Sequence, residues 1–182
     1  MNVATAVRTL AQQDQRGRWV YTLRDLECLF HEDAPAALRA SLRRLIAQGV
    51  LVRAAQGVYV YGLSAHLGSY TLERVAVALR RGFYSYVSLE SALSAYGLIS
   101  QMPIDRLTVM TTGRSGEYRT PFGAIEFTHT HRKIADVLAG MRSLTTDLHG
   151  SPLRMATCET ALRDLRRVGR NLHLVEERGD AA

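Results

Sequence analysis

With 182 residues, 47% of them hydrophobic, the chain carries enough apolar material for one ordinary domain or two small ones, which excludes global disorder. Its 23 basic residues, all arginine except Lys133, outweigh 17 acidic ones and leave a net charge of +6, a balance that favours polyanionic partners without naming one. Residues 1–66 and 67–133 each hold 8 basic and 5 acidic groups, while residues 134–182 hold 7 of each, so the excess charge lies in the first two thirds.

The first helix is expected from Val3, Val7 and Leu10, which recur at helical spacing and give way to the polar run Asp14-Gln15-Arg16-Gly17. "WVYT" reads as a short extended segment. Thr22 then stands where it can cap a second helix built on Leu23, Leu26, Leu29 and Phe30. Pro35 suits the first turn of a third helix, where its missing N–H is no loss.

On that third helix Leu38, Leu42, Leu45 and Ile46 form one apolar stripe, and Ala36, Ala40 and Ala47 lie opposite with Arg39, Arg43 and Arg44 around them. Small residues flanked by arginines let a helix approach a groove while the long side chains reach phosphates and base edges. Gly49 ends the helix, and "VLVRA" and "GVYVYG" alternate as two strands about a tight turn. Three helices followed by a hairpin is the order of a winged helix-turn-helix, so residues 1–66 are expected to be a DNA-binding domain with residues 35–48 as recognition helix and 50–61 as wing. Its candidate contacts to double-stranded DNA are Arg39, Arg43, Arg44, Arg53 and Gln56, with Arg18 and Arg24 beside them. The alternative is a solvated arginine face on a fold that merely joins domains.

Residues 67–182 read as a second, mixed α/β domain, making the whole chain α+β. A helix over 69–81 has Ser69 as cap and Leu72, Val75, Ala76 and Leu79 inward. "YSYVSLESALSAYGLIS" begins extended and becomes a helix capped by Ser88; "RLTVMTT" and "GAIEFTHT" are strands joined by "GRSGEYRTPF", in which "EYRT" makes a short strand. "HRKIADVLAG" fits a strand or a short helix, "LTTDLHGSPLRMA" a polar hairpin about His149-Gly150-Ser151, and "TCETALRDLRRVG" a helix capped by Thr157. The final residues start as another helix and lose the pattern.

Several stretches of this half invite a catalytic reading. Gly113-Arg114-Ser115-Gly116-Glu117 approaches a nucleophile elbow, but Glu117 occupies the place of the second glycine, so a turn is the better reading. Glu126-Phe127-Thr128 lacks the lysine that a metal-dependent nuclease of the restriction type places two residues after its glutamate. His129 and His131 alternate on a strand and would share a face; no third and fourth ligands follow at ordered spacing, although Glu126, His149 or Cys158 could approach in the folded chain, so they read as hydrogen-bonded or solvent-facing before metal-binding. Tyr84, Tyr86 and Tyr96 sit beside apolar runs and read as core or domain-interface aromatics before base-stacking ones. Arg80, Arg81, Arg114, Arg119, Arg132 and Lys133 form either a second basic surface or scattered solvated charge. Cys28 and Cys158 lack any CxxC or Cys/His spacing and are expected to be reduced and structural. No apolar run is long enough to span a bilayer and the N-terminus lacks a secretion signal's apolar core, so a cytoplasmic protein without a membrane partner is expected.

The series "YVSLESALSAYGLI", "LTVMTTGRSGEYRTPFGAIEFTHT" and "MATCETALRDLRR" resembles the AbiEi family of antitoxin-type transcriptional regulators from abortive-infection, type IV toxin–antitoxin pairs. The resemblance runs from the expected winged helix to about residue 175, with Thr112-Gly113-Arg114, Thr120-Pro121-Phe122-Gly123 and Ile125-Glu126-Phe127 as its most distinctive part. Relatives often carry Pro-Glu-Lys where this chain has Cys158-Glu159-Thr160. The resemblance implies a non-enzymatic protein without a cofactor: an N-terminal domain that binds its own operator and represses its operon, and a C-terminal domain that counteracts a nucleotidyltransferase toxin, usually without a tight complex. A nucleic-acid enzyme targeted by the winged helix, a protein-interaction adaptor, and a stand-alone regulator without a toxin are the competing readings.

Overall fold

The computed structural model describes residues 2–68, 70–99, 105–142 and 150–175. It is a mixed α+β chain that divides by contacts into two units, one running to Leu79 and including Thr120–Phe122, the other comprising Arg80–Arg119 and the chain from Gly123.

In the first unit the apolar periodicity sets which helix faces turn inward. Helix α1 (Val3–Asp14) is opened by Asn2, whose side chain accepts from Thr5 N at 2.7 Å, and it buries Ala6 and Leu10. Strand β1 (Val20–Thr22) runs straight into α2 (Leu23–Leu29) through a reciprocal cap: Asp25 N donates to Thr22 Oγ1 at 3.2 Å while Thr22 N donates to Asp25 Oδ2 at 2.7 Å. Helix α3 (Pro35–Ala47) starts with its proline and buries Leu38, Ser41, Leu42 and Leu45. Strands β2 (Leu51–Ala55) and β3 (Val58–Tyr61) turn at Gln56-Gly57, where Gly57 takes φ +72°, a left-handed angle that costs glycine nothing. The extended "WVYT" segment finds its partner only in the folded chain: β1 pairs antiparallel with β3, giving the order β1-β3-β2 with Tyr21 opposite Tyr59.

The first unit continues past residue 66 to Leu79. Helix α4 (Thr71–Leu79) buries Val75 and Ala76 and lies against β1 and β3, which ties it to the first unit. Arg74 of the same helix stacks over Trp19 at 4.1 Å, and Trp19 in turn stacks on His66 with ring centroids 4.8 Å apart. Burial raises the Glu73 carboxyl above the usual carboxylate range, and a hydrogen bond from its own backbone opposes this only in part. A carboxyl raised in the native state holds its proton more tightly there than in the unfolded chain, so its contribution to stability falls as pH rises from the unfolded value through the native one. Glu73→Gln is therefore expected to raise the melting temperature at neutral pH and to make no difference below about pH 4, where both chains are neutral at this position; thermal unfolding at the two pH values checks the sign.

The second unit is built on a five-stranded sheet of order β6-β7-β5-β4-β8, from β4 (Ser85–Val87), β5 (Arg106–Thr111), β6 (Gly116–Thr120), β7 (Gly123–His129) and β8 (Arg154–Met155). The central strand β5 is buried from Leu107 to Thr111, as a strand covered on both faces must be. It pairs in parallel with β7, Val109 opposite Phe127, and antiparallel with β4, Val87 opposite Val109. Helix α5 (Leu89–Ala95) lies against β5 and against α7 (Cys158–Val168), and the ambiguous "HRKIADVLAG" stretch contains a helix, α6 (Ile134–Ala139).

Thr157 caps α7 as expected, accepting from Thr160 N at 3.3 Å. Ser88 does not cap α5; its hydroxyl donates to Asp164 Oδ2 at 2.9 Å, because a buried carboxylate on α7 is the stronger acceptor. A single turn of 3-10 helix at Leu172–Leu174 stands where another helix was expected to begin. The expected cap Ser69 and most of the expected hairpin about His149 lie outside the described residues, which do show β8 and a bridge between Met141 and Ala156. No helix of the described residues is long and apolar enough to cross a membrane.

Candidate nucleic-acid interface

Three buried leucines decide which way α3 faces. Full burial of one such side chain is worth about 1.5–3 kcal/mol, more than the roughly 0–1 kcal/mol of a surface ion pair, so Leu38, Leu42 and Leu45 fix the helix rotation. At 100° per residue the opposite face is then Ala36, Ala40, Arg43 and Ala47, with Arg39 and Arg44 on its two sides, and all six are exposed. Among the described residues no hydrogen bond or ion pair holds Arg39 or Arg43. Arg44 is tethered to its own helix, donating from Nη2 to Ser41 Oγ at 3.2 Å.

Arg53 is exposed on β2 opposite Tyr59, next to a bulge between Arg53 and Ala55, and Gln56 is exposed at the hairpin turn. Arg18, on the α1–β1 connection, and Arg24, on α2, are exposed as well. All seven candidate contacts thus reach solvent from four places in the first unit: one helix face, one hairpin, one short helix and one loop.

The second basic surface does not survive as drawn. Arg80 is only 9% exposed. Its guanidinium lies 4.1 Å from the Phe127 ring centroid, donates from Nε and Nη2 to Arg114 O at 3.0 and 2.8 Å, and donates from Nη1 to Tyr118 OH at 3.1 Å. Arg132 turns inward too, 3.4 Å from Asp164 Oδ1. Both arginines satisfy acceptors distant in the chain that a linear pattern of charge does not reveal. Arg81, Arg114, Arg119 and Lys133 stay exposed, Arg119 with 87% of its side chain accessible and 3.8 Å from Glu117.

Asp164 is the centre of a buried polar cluster. It is 1% exposed and accepts from Tyr86 OH and Ser88 Oγ at 2.9 Å each as well as from Arg132. Burial first, and then the Asp164 charge, push the Tyr86 phenol well above its ordinary range, so it remains a donor. A second cluster joins Glu90, which is 3% exposed, to Arg170 through two bonds of 3.1 and 3.2 Å, and Arg170 also pairs with Glu126. Arg106 takes the other oxygen of Glu126 at 3.1 Å. Both oxygens of Glu126 are therefore held by arginines, the opposite of what a metal-binding nuclease glutamate needs.

The histidine pair is local to one loop. Strand β7 ends at His129, so His131 lies beyond it, yet the rings stack edge-on with centroids 4.4 Å apart. His129 Nδ1 is 2.7 Å from Gly113 O, and a carbonyl can only accept, so Nδ1 carries the proton. His129 Nε2 lies 3.3 Å from His131 Nδ1, within hydrogen-bond reach. No cluster of three or more His, Cys, Asp or Glu suited to a metal occurs among the described residues.

Of the three tyrosines, Tyr86 is buried and Tyr96 donates to Ala156 O at 2.9 Å, but Tyr84 is 45% exposed. Beside it Phe83, which no sequence signal singles out, is 54% exposed. Cys158 is half-buried and Cys28 is exposed on α2, contrary to the expectation of two structural cysteines; both are free thiols.

Comparison with models of known protein families finds no match, and no curated protein matches either. Among solved structures the fold is similar to that of the RV2827C protein from Mycobacterium tuberculosis, with a TM-score of 0.59 and 19% identity over 86% of this chain. The chain spans 58% of that protein's length. At this level of identity the likeness is one of fold.

Proposed function

We propose that the chain is a double-stranded-DNA-binding transcriptional repressor of its own promoter, with a winged helix-turn-helix formed by α2, α3 and the β2–β3 hairpin. The observation that carries this reading is the exposed face of α3, where Ala36, Ala40 and Ala47 leave room for a groove wall and Arg39 and Arg43 are held by no other described group. A helix fits the major groove of B-DNA, and arginine is the side chain best suited to guanine edges and phosphates there. Arg53 and Gln56 extend from the hairpin as a wing does, and the net charge of +6 supplies long-range attraction.

The AbiEi-like segments of the second unit extend the proposal to an antitoxin that counteracts a nucleotidyltransferase toxin, with or without a stable complex; a stand-alone regulator is the same proposal without the toxin. The DNA-binding part is tested by a mobility shift on duplex from immediately upstream of the reading frame, with unrelated duplex as competitor. Specific retention that weakens steeply as salt rises is the expected result. Equal retention of unrelated duplex at every salt concentration would remove the repressor reading. The antitoxin part is tested by co-expressing the chain with the adjacent reading frame and scoring rescue of growth.

A further inference from the structure

We propose that the second unit binds single-stranded nucleic acid, receiving one base in a pocket of about 410 Å³ lined by Phe83, Thr112, Gly113, Arg114, Ser115 and His129. The volume lies in the range of small-molecule sites and is ample for a base with its sugar. Phe83 is the stacking platform. One side of its ring rests on Gly113, where an added Cβ would stand 3.0 Å from Phe83 Cγ, and just over half of the residue is open to solvent.

The pocket wall is held in place before anything binds. Tyr84 N donates to Thr112 Oγ1 at 3.1 Å and Thr112 N to Tyr84 O at 2.9 Å, which fixes the Phe83-Tyr84 segment against the loop. His129 N donates to Ser115 Oγ at 2.8 Å, His129 Nδ1 donates to Gly113 O, and the Arg80 guanidinium clamps Arg114 O from behind. A rigid aromatic surface loses little entropy on binding, which is what a stacking site requires.

Charge decides the occupant. The lining includes Arg114 and a histidine but no carboxylate, and exposed Arg81 precedes Phe83 by two residues. An apolar protein surface would desolvate those cations without return, whereas a nucleotide offers a flat π-face for Phe83 and a phosphate for Arg114. A duplex keeps its bases stacked inside, so a single strand is the form that can lend one base to the pocket. The larger cleft between α6 and α7, about 770 Å³, carries both signs of charge through Asp136, Glu159, Arg132 and Arg163 and makes no such selection.

The inference does not rest on the duplex-binding reading of the first unit, and the test separates the two. Fluorescence anisotropy of the full chain is measured with a short labelled RNA and with DNA of the same sequence, at low salt. The wild type is expected to bind at least one of the two. Phe83→Ala is expected to weaken that binding about tenfold while sparing operator duplex. Arg114→Ala is expected to flatten the salt dependence by about 0.7 in log–log slope, the loss of one phosphate contact.

Phe83→Trp should keep the affinity and add a fluorescence that falls on binding, read against the wild type with its single tryptophan, Trp19. Alanine at Arg39 and Arg43 should leave single-strand affinity unchanged. The proposal is overturned if neither strand binds, if Phe83→Ala binds as the wild type does, or if single-strand binding disappears with Arg39 and Arg43. Self-association of the wild type that Phe83→Ala abolishes, without strand binding, would identify the patch as a contact between copies and overturn it equally.

Discussion

Alanine at both Arg39 and Arg43 is expected to lower affinity for the operator duplex at least about tenfold, because a bidentate arginine on guanine is worth about 1–3 kcal/mol and two such side chains leave the interface together. The fold should be untouched: both positions are exposed on a helix, and alanine is the better helix former. Circular dichroism and thermal unfolding of the double variant check that control. The salt dependence distinguishes the two kinds of contact. If the arginines meet phosphates, the slope of log affinity against log salt falls by about 0.9 for each residue removed, and loss is uniform across sequences. If they read bases, the loss is concentrated on the operator. Affinity and slope both equal to the wild type's would take α3 out of the interface. Arg44→Ala is the informative companion, since its bond to Ser41 partly occupies the guanidinium and the expected loss is smaller.

Asp164→Ala is expected to cost about 3–5 kcal/mol of stability, the largest effect in the second unit. The carboxylate accepts from Tyr86, Ser88 and Arg132 at a site 1% exposed to solvent, so truncation leaves two buried hydroxyl donors and one half-buried guanidinium without their acceptor. For a chain of this size the change in melting temperature is on the order of 10 °C. Thermal unfolding measures it, and a shift of less than about 2 °C would mean that the donors find other partners or water. Asp164→Asn should cost less, because the amide oxygen still accepts while the ion pair with Arg132 is lost.

The two halves of the chain differ in how much of this can be read from sequence. In the first unit the signals are local. The Thr22 cap of α2, Pro35 at the start of α3, the leucine stripe and the tight turn of the hairpin each depend on residues close in the chain, and each is seen in the structure. The candidate arginines follow from the stripe, since residues about 180° from the leucines on α3 must face out. The pairing of β1 with β3 was not legible, because Tyr21 and Tyr59 are brought together by two intervening helices that carry no mark of it.

In the second unit the partners are distant. Ser88, a plausible helix cap by its neighbours, bonds to Asp164 instead; Arg80, counted with a basic surface, is drawn to the carbonyl of Arg114; Glu90 waits for Arg170. Phe83 gave no signal because an aromatic residue beside Gly82 and Tyr84 looks like the start of a core strand, and only the close approach of Gly113 leaves its outer side open.

By itself the sequence determined the charge excess, the faces of the helices, the main turns and the arginine-bearing side of α3, since these follow from helical and strand periods and from the chemistry of adjacent residues. Only the tertiary structure decided the strand order of both sheets, the inward turn of Arg80 and Arg132, the buried cluster at Asp164 and the pocket at Phe83. The reason is one of range. Periodicity acts over a few residues, whereas a buried charge chooses its partner by proximity in space, and that proximity is a property of the packed core.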